Sequence, residues 1–520
     1  MSPTSPTART RLVALEPRLR NLLPADLYAN YWISPSSETL MHVFEHLRTL
    51  RRILSDYVPR QVSESLPQPG QARYEWQEGS LMFTDLAGFT PLMEASARHG
   101  REGALILMDT LNRYFAAMIE IISKSGGSLL EFTGDAMLAL FPATPKQNDA
   151  RQAVHAGLRM QRAMQQFAQI EVLGETFELG MRIGIHTGRF LTADIGTPRR
   201  MENVLLGGAV RETKKAEGAG EVGRVCMTFR AFQRVSDLFE FDDGKPGYML
   251  LVDNLSERRL GEYDISFTSR RMANPVLFDR SMDALAEEIE GLVNLIEPLA
   301  SYLPAPVLDL AVAGTARRRI PPRFPELVVM FVNLLGLPEA VDSASEGQED
   351  RIVSTFSRAF ALINAAVEAQ GGVLKHVTYH LSGSDMLIYF GTPNAHTDDA
   401  VRAARAALAI RDTIQKIEPI SVGNSVIEAR CQIGIAKGPV FAAEIGEPRG
   451  RREFNILGDT VNTAARLMSK AASGQILLTD IVHDDIREHF TLESLGELAL
   501  KGKSSVGNVY NLLAALEDED

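Results

Sequence analysis

"FTDLAGFT" at residues 83–90 and "FVNLLGLP" at 331–338 carry Phe, Leu and Gly at matching places, but Asp85 of the first is Asn333 of the second. The first octet ends the apolar run "GSLMFTDL", which reads as a buried strand breaking into a loop. The likeness extends outward. "IGIHTGRFLTADIGTPRR" (183–200) recurs 250 positions on as "IGIAKGPVFAAEIGEPRG" (433–450), and "VLLGGAV" around Gly207 recurs as "NILGDTV" around Gly458. Even a lead-in repeats, "LSDYVPRQV" (54–62) against "LASYLPAPV" (299–307). So long a period marks a duplicated domain of about two hundred residues, not a solenoid of short units.

Each copy reads as mixed α and β. The strand "GSLMFTDL" is followed by a helical stretch near 91–124 and then by "SLLEFTGDAMLALF", two short strands around Thr-Gly-Asp. Ala153, Ala156, Met160, Met164 and Phe167 keep a helical spacing, matched by Ala403, Ala406, Ile410, Ile414 and Ile417. With the strand "MRIGIHTG" the order becomes β-α-β-β-α-β, an α+β fold of ferredoxin-like type with elaborations. The expected divisions are a disordered tail at 1–36, headed by the polar "MSPTSPTART", and a helical lead-in at 37–74. Copies follow at 75–270 and 321–515, joined by a helical connector at 271–320, with an acidic tail at 516–520. The basic "GTARRRIPPR" (314–323) reads as a solvated linker.

Net charge is −12 with a pI near 5.5 and no basic block, which argues against nucleic acid or an anionic membrane as partner. No apolar run reaches the roughly 18 residues of a membrane span. Cys226 and Cys431 lie far apart, so a disulfide framework is not expected and a reducing cytoplasm fits.

Asp85 follows a strand and Asp135 sits in a hairpin turn, positions that a βαββαβ sheet brings side by side. Two such carboxylates suit hard divalent cations. The loop after Asp85 enters a helix through Gly88, Phe89 and Thr90, whose free amides suit a phosphate. A metal beside a helix N-terminus points to a nucleoside triphosphate. Taken singly, each Asp is a turn residue. Arg182 reads either as a pyrophosphate ligand or as a strand-edge ion pair, and His186 as structural.

Together "FTDLAGFT", "LLEFTGDAMLALF", "MRIGIHTG" and "FNILGDTVNTAARL" resemble the class III nucleotidyl cyclase family over both copies, and the tandem arrangement is similar to the soluble adenylyl cyclases. The resemblance implies an internal pseudo-symmetric head-to-tail pair with sites between the copies. It implies that Asp85, Asp135 and the Leu86 carbonyl hold two Mg²⁺ or Mn²⁺ ions, that Asn462 orients the ribose and that Arg466 stabilises the transition state. Lys501 in "LKGK" matches a triphosphate-binding lysine, Asn455 the base-recognition position, and Lys375 or His376 the base-contacting lysine. The implied activity is ATP to 3′,5′-cyclic AMP and pyrophosphate in a cytoplasmic chain for which a monomer suffices. A catalytically silent nucleotide-binding module, or a guanylyl cyclase, is the alternative.

The reciprocal pocket has lost the whole set: Asn333 and Ser384 stand at its metal positions, and Arg211 and Lys215 at its Asn and Arg positions. In the soluble adenylyl cyclases that pocket is an effector site for bicarbonate built on a lysine and an arginine; here those places hold Glu131 and Lys214, expected as an ion pair that fills the space.

Overall fold

The structure, a computed structural model, describes residues 6–260, 279–379, 381–447, 450–498 and 507–516. The expected boundary near 270 and residues 517–520 of the acidic tail lie outside them.

The first half builds strands β1 (Arg73–Ala87), β2 (Ser128–Thr133), β3 (Ala136–Pro142), β4 (Gly180–Thr197), β5 (Arg200–Leu206), β6 (Val225–Thr228), β7 (Phe241–Asp243) and β8 (Tyr248–Leu251). They form one sheet in the order β2-β3-β1-β4-β6-β8-β7, with β5 paired to the far end of β4. The second half repeats the plan with β9 (Glu326–Leu335), β10 (Val373–Tyr379), β11 (Ser384–Phe390), β12 (Arg430–Pro439), β13 (Phe441–Gly446), β14 (Arg452–Leu457), β15 (Ile476–Thr479), β16 (Phe490–Glu497) and β17 (Asn508–Ala515). Its sheet runs β10-β11-β9-β12-β15-β17-β16, while β13 and β14 pair as a separate ribbon. The register repeats too: β4 runs parallel to β6 with Ile183 opposite Val225, and β12 parallel to β15 with Ile433 opposite Ile476. In the first half the long β4 runs unbroken into the arm it makes with β5. In the second, Pro439, which lacks a ladder donor, ends the strand before the arm.

These arms are exchanged. Phe190, Leu191, Ile195 and Val204–Leu206 of the first arm share a core with Ile352, Phe356, Phe360 and Ile363 of the helix Glu349–Ala369. Phe441, Ala443, Ile445 and Leu457 of the second arm lie in the core of the first half, with Phe115, Ile119 and Phe132. Among the described helices only Glu349–Ala369 is long and apolar enough to cross a membrane, and this packing explains its apolar stripe.

The N-terminus corrects the sequence reading. Residues 6–33 are not a disordered tail but form the helices Pro6–Leu19 and Ala25–Ile33. The polar first decapeptide hid the apolar series that follows: Leu12, Leu15, Leu19, Leu22 and Leu23 are buried against Ser37–Asp56 and Met282–Ala300. Arg18 clamps Glu297 with two hydrogen bonds of 2.8 and 2.6 Å. Nor is 314–323 simply a solvated linker: Thr315 and Ile320 are buried, the Arg318 carbonyl accepts from Arg452, and Arg323 exchanges backbone hydrogen bonds with Ala442.

Phe360 is a point where the exchanged arm can be tested. Phe360→Ala should cost about 3–5 kcal/mol of stability, read as a lowered midpoint in chemical denaturation.

Candidate active site

Asp85 stands near the end of β1 directly opposite Arg182 on β4. Arg182 Nη2 donates to Asp85 Oδ2 at 2.6 Å, and its Nε lies 2.9 Å from Glu217 Oε1, on the helix Gly208–Ala219. Of the two readings of Arg182, the structure contains the ion pair. Asp135 occupies the two-residue turn between β2 and β3, where Gly134 takes the left-handed φ of +68°. Burial, then the charge of Asp85, pushes the Asp135 carboxyl up to about 7. Glu217 is likewise pushed up to about 7, by burial first and Asp85 second, against the pull of Arg182. Arg182 thus bridges two carboxylates, Asp85 and Glu217, and the charges of both reach Asp135. No group of three or more His, Cys, Asp or Glu side chains arranged to hold a metal occurs among the described residues.

The loop beyond Asp85 turns at Gly88, with φ +88°; a Cβ there would sit 2.1 Å from the Glu178 carbonyl oxygen. Gly88 precedes the helix Phe89–Ala97 and provides no side-chain cap, so the first-turn amides are not satisfied by one. Leu86 and Phe89 are buried in the core, which leaves only their backbone for a ligand, and Thr90 is half-buried.

The second half meets this turn. Asn455 on β14 donates from Nδ2 to the Gly134 carbonyl at 3.1 Å and accepts from Ile456 N at 3.0 Å. Gly458, ahead of the helix Asp459–Lys470, packs so closely that a Cβ would lie 3.1 Å from Met93 Cε of the first half. Asn462 and Arg466 follow one turn apart on that helix, Asn462 exposed and Arg466 half-buried. Asp85, Asp135 and the Phe89 helix thus adjoin the segment carrying Asn455 and Asn462. Lys501 lies outside the described residues.

The bulge in β10 repeats the one in β2. His376 opposes Leu387 as Glu131 opposes Leu138, so His376 corresponds to Glu131 and Lys375 to Leu130. Both are buried and engaged: Lys375 Nζ lies 3.4 Å from Glu453 Oε2, and His376 Nδ1 lies 3.3 Å from Glu202 Oε1 and 3.6 Å from Glu453 Oε1. Burial lowers the Lys375 ammonium, while Lys375, His376 and Arg451 hold Glu453 down although burial opposes them. Sequence reading missed Glu202 and Glu453. Their signal was the repeat itself, which places Arg200 and Glu202 251 positions before Arg451 and Glu453. A cavity of about 40 Å³ beside these groups has room for a water or two. His186 has a structural partner, Thr228 Oγ1 at 2.9 Å, and burial lowers its pKa to about 4.

The other pocket is closed on itself. Asn333 Nδ2 donates to Ser382 O at 2.8 Å and to Gln432 Oε1 at 3.0 Å, so a neutral amide pair stands where Asp85 and Arg182 stand in the first half. Two residues separate the paired Thr133 and Ala136, but four separate the paired Tyr379 and Ser384. Ser384, at the start of β11, is buried. Lys214 lies 3.7 Å from Glu131, donates to the Tyr379 carbonyl, and sits 5.2 Å from the Phe83 ring centre. Lys215 and Arg211 both face Glu212. Asp342 already caps the helix start at Gly208 N, at 2.7 Å.

Residues 72–249 and 321–513 each match the family described as adenylate and guanylate cyclase catalytic domain, and the chain belongs to that family. Adenylate cyclase type 10 of Rattus norvegicus is 24% identical over 453 residues, covering 85% of this chain and 27% of that protein. The protein of the same name from Homo sapiens is 24% identical over 410 residues, covering 77% and 24%. The chain thus spans about a quarter of the length of these relatives. A class III adenylyl cyclase-like ATP-binding protein from Pseudomonas aeruginosa shares the fold across both halves, at TM-score 0.54 and 15% identity, covering 86% of this chain and 93% of that one.

The second pocket has a pH signature. Burial pushes Asp385 up to about 8, although Lys214 pulls it down. Between its unfolded value and that one, the folded chain keeps a proton the unfolded chain has lost, so stability falls as pH rises from about 4 to about 8. Asp385→Asn should remove that slope: thermal melts should show a higher midpoint than wild type at pH 8 and nearly the same midpoint at pH 4.

Proposed function

We propose that this chain is an adenylyl cyclase, converting ATP to 3′,5′-cyclic AMP and pyrophosphate at one composite site, with the second pocket retired. The observation that carries the reading is the division of labour: the carboxylates lie in one half, the Asn455 and Asn462 segment of the other half is docked on their turn, and the mirror-image position is neutral and self-paired. The proposed architecture is two ferredoxin-like units, 75–270 and 321–515, paired head to tail within the chain. The lead-in is 37–74 and the connector 271–320, so a monomer forms the site. The free thiols of Cys226 and Cys431 accord with a reducing cytoplasm.

The family uses divalent cations, and the residues here fit one: Asp85, Asp135 and Glu217 lie together with Arg182 as their one ion-paired cation among the described residues. Asp85, Asp135 and the Leu86 carbonyl would hold two Mg²⁺ or Mn²⁺ ions. When bound, such ions lower the pKa of the attacking 3′-hydroxyl and neutralise the leaving group. The amides at Gly88, Phe89 and Thr90 receive phosphate oxygens at a helix N-terminus. Asn462 holds the ribose in line with the α-phosphate, and Arg466 takes charge as it builds there. Asn455, Lys375 and His376 flank the base, and Lys501 reaches the triphosphate.

A nucleotide-binding module without turnover is the second reading. The ion pairs that occupy Lys375 and His376 favour it, as does the likeness to a cyclase-like ATP-binding protein.

Purified protein given ATP or GTP with Mg²⁺ or Mn²⁺ decides between them, by cyclic nucleotide formed. Asp85→Ala, Asp135→Ala and Arg466→Ala should each lower the rate at least about 10²-fold, whereas Asn333→Ala should stay near wild type. ATP binding without product would favour the module. With bicarbonate titrated at fixed pH and ionic strength, the initial rate should not rise, since Glu131 faces Lys214.

A further inference from the structure

Arg200, opening β5, and Arg451, ahead of β14, are equivalent under the duplication, and both are buried. Each grips the backbone of a lead-in. Arg200 Nη1 donates to Tyr302 O at 3.1 Å; Arg451 Nη1 donates to Asp56 O at 3.3 Å and to the Tyr57 carbonyl. The lead-ins cross over: Tyr57, ahead of the first half, bonds Glu444 in the second, and Tyr302, ahead of the second, bonds Asp194 in the first.

The symmetry breaks at the other guanidinium nitrogen. Arg200 Nη2 donates to Glu202 Oε2 at 2.7 Å, to Lys375 O at 3.1 Å and to Leu374 O at 3.4 Å. It therefore reaches from the first half into the bulge of β10, in the second. Among the described residues, the guanidinium hydrogen bonds of Arg451 end on its lead-in and on its neighbour Arg452, and none reaches β2.

We propose that Arg200 is a positioning residue for nucleotide selectivity, holding the Lys375–His376 bulge in place from the opposite half. This rests on the reading that puts the base beside Lys375 and His376. A bulge leaves backbone groups outside the ladder, and buried carbonyls need partners. The planar fork of an arginine can hold a carbonyl and a carboxylate at fixed geometry, which a lysine cannot. Glu202, which anchors Arg200, also accepts from His376 Nδ1, so one carboxylate orients both the fork and the imidazole. The Phe360 ring, 5.5 Å from the guanidinium carbon, backs the fork. Among the described residues this brace exists on one side only, the side whose pocket kept its carboxylates.

The test is steady-state kinetics with ATP and GTP, alongside equilibrium binding of the same two nucleotides. Arg200→Lys should raise KM for ATP about ten-fold and lower the ATP:GTP preference by a similar factor, with kcat within about two-fold of wild type. Glu202→Gln, which loosens the same link without removing the arginine, should move both quantities in the same direction and carries the test if Arg200→Lys fails to fold. Arg159→Lys is the control for loss of a buried arginine, one that bonds Ser125 Oγ and the Leu260 carbonyl: it should lower the thermal midpoint but leave KM and the preference alone. Wild-type KM and preference in both Arg200→Lys and Glu202→Gln would overturn the proposal, as would equal changes in Arg159→Lys. A wild-type protein that binds neither nucleotide would instead bring down the functional reading beneath it.

Discussion

The exchange of arms is the constraint on which everything else hangs. Phe190 and Leu206 are buried in a core largely made by the second half, and Phe441 and Leu457 in a core made by the first. Burying apolar strands this way removes them from water and fixes them at the density of a protein interior, where small displacements are resisted. The same strands end at the candidate site. Asn455 leaves the second arm and bonds the turn that carries Asp135. The position of one half's chemistry relative to the other's is therefore a packing property and not one of either half alone.

Charge then separates the two pockets. In the first half Asp85, Arg182 and Glu217 form one ionic group; in the second the corresponding residues are Asn333, Gln432 and Met468. Asp85 and Arg182 are half-buried, so removing one member of this group leaves a partly desolvated charge uncompensated, whereas replacing all three with neutral groups does not. That set of three is neutral in the second half, where Lys214 lies beside Glu131 and the Tyr379 carbonyl. The first keeps a surplus of carboxylate; burial first, and the charge of Asp85 second, raise Asp135 and Glu217. Such a surplus is unfavourable in an isolated chain and favourable beside a cation.

Arg200, Glu202, Lys375, His376, Arg451 and Glu453 form a buried polar layer between the two halves. Its partners come from both lead-ins, both arms and the β10 bulge. A network of this kind specifies one arrangement of the halves more sharply than apolar packing does, because each shift of register strands a buried polar group. The helices Ser37–Asp56 and Met282–Ala300 meet it through Tyr57 and Tyr302.

The duplication, the order of strands and helices, the hairpin turn of Asp135 and the half that kept its carboxylates were legible in the sequence. Apolar periodicity, turn chemistry and repeat spacing are local properties of the chain. The N-terminal helices could have been read the same way, from Leu12, Leu15 and Leu19, had the polar decapeptide before them not dominated. Tertiary structure alone decided the rest. Gly134 and Asn455 are 321 positions apart, and Arg200 and Lys375 are 175 apart. Whether Lys375 or His376 stands opposite Leu387 depends on one bulge, and whether Arg182 faces Asp85 or solvent depends on which strand lies beside β1. No spacing along the chain encodes such pairings, because they arise only when strands settle beside their neighbours in each sheet and the two halves bury their arms in each other.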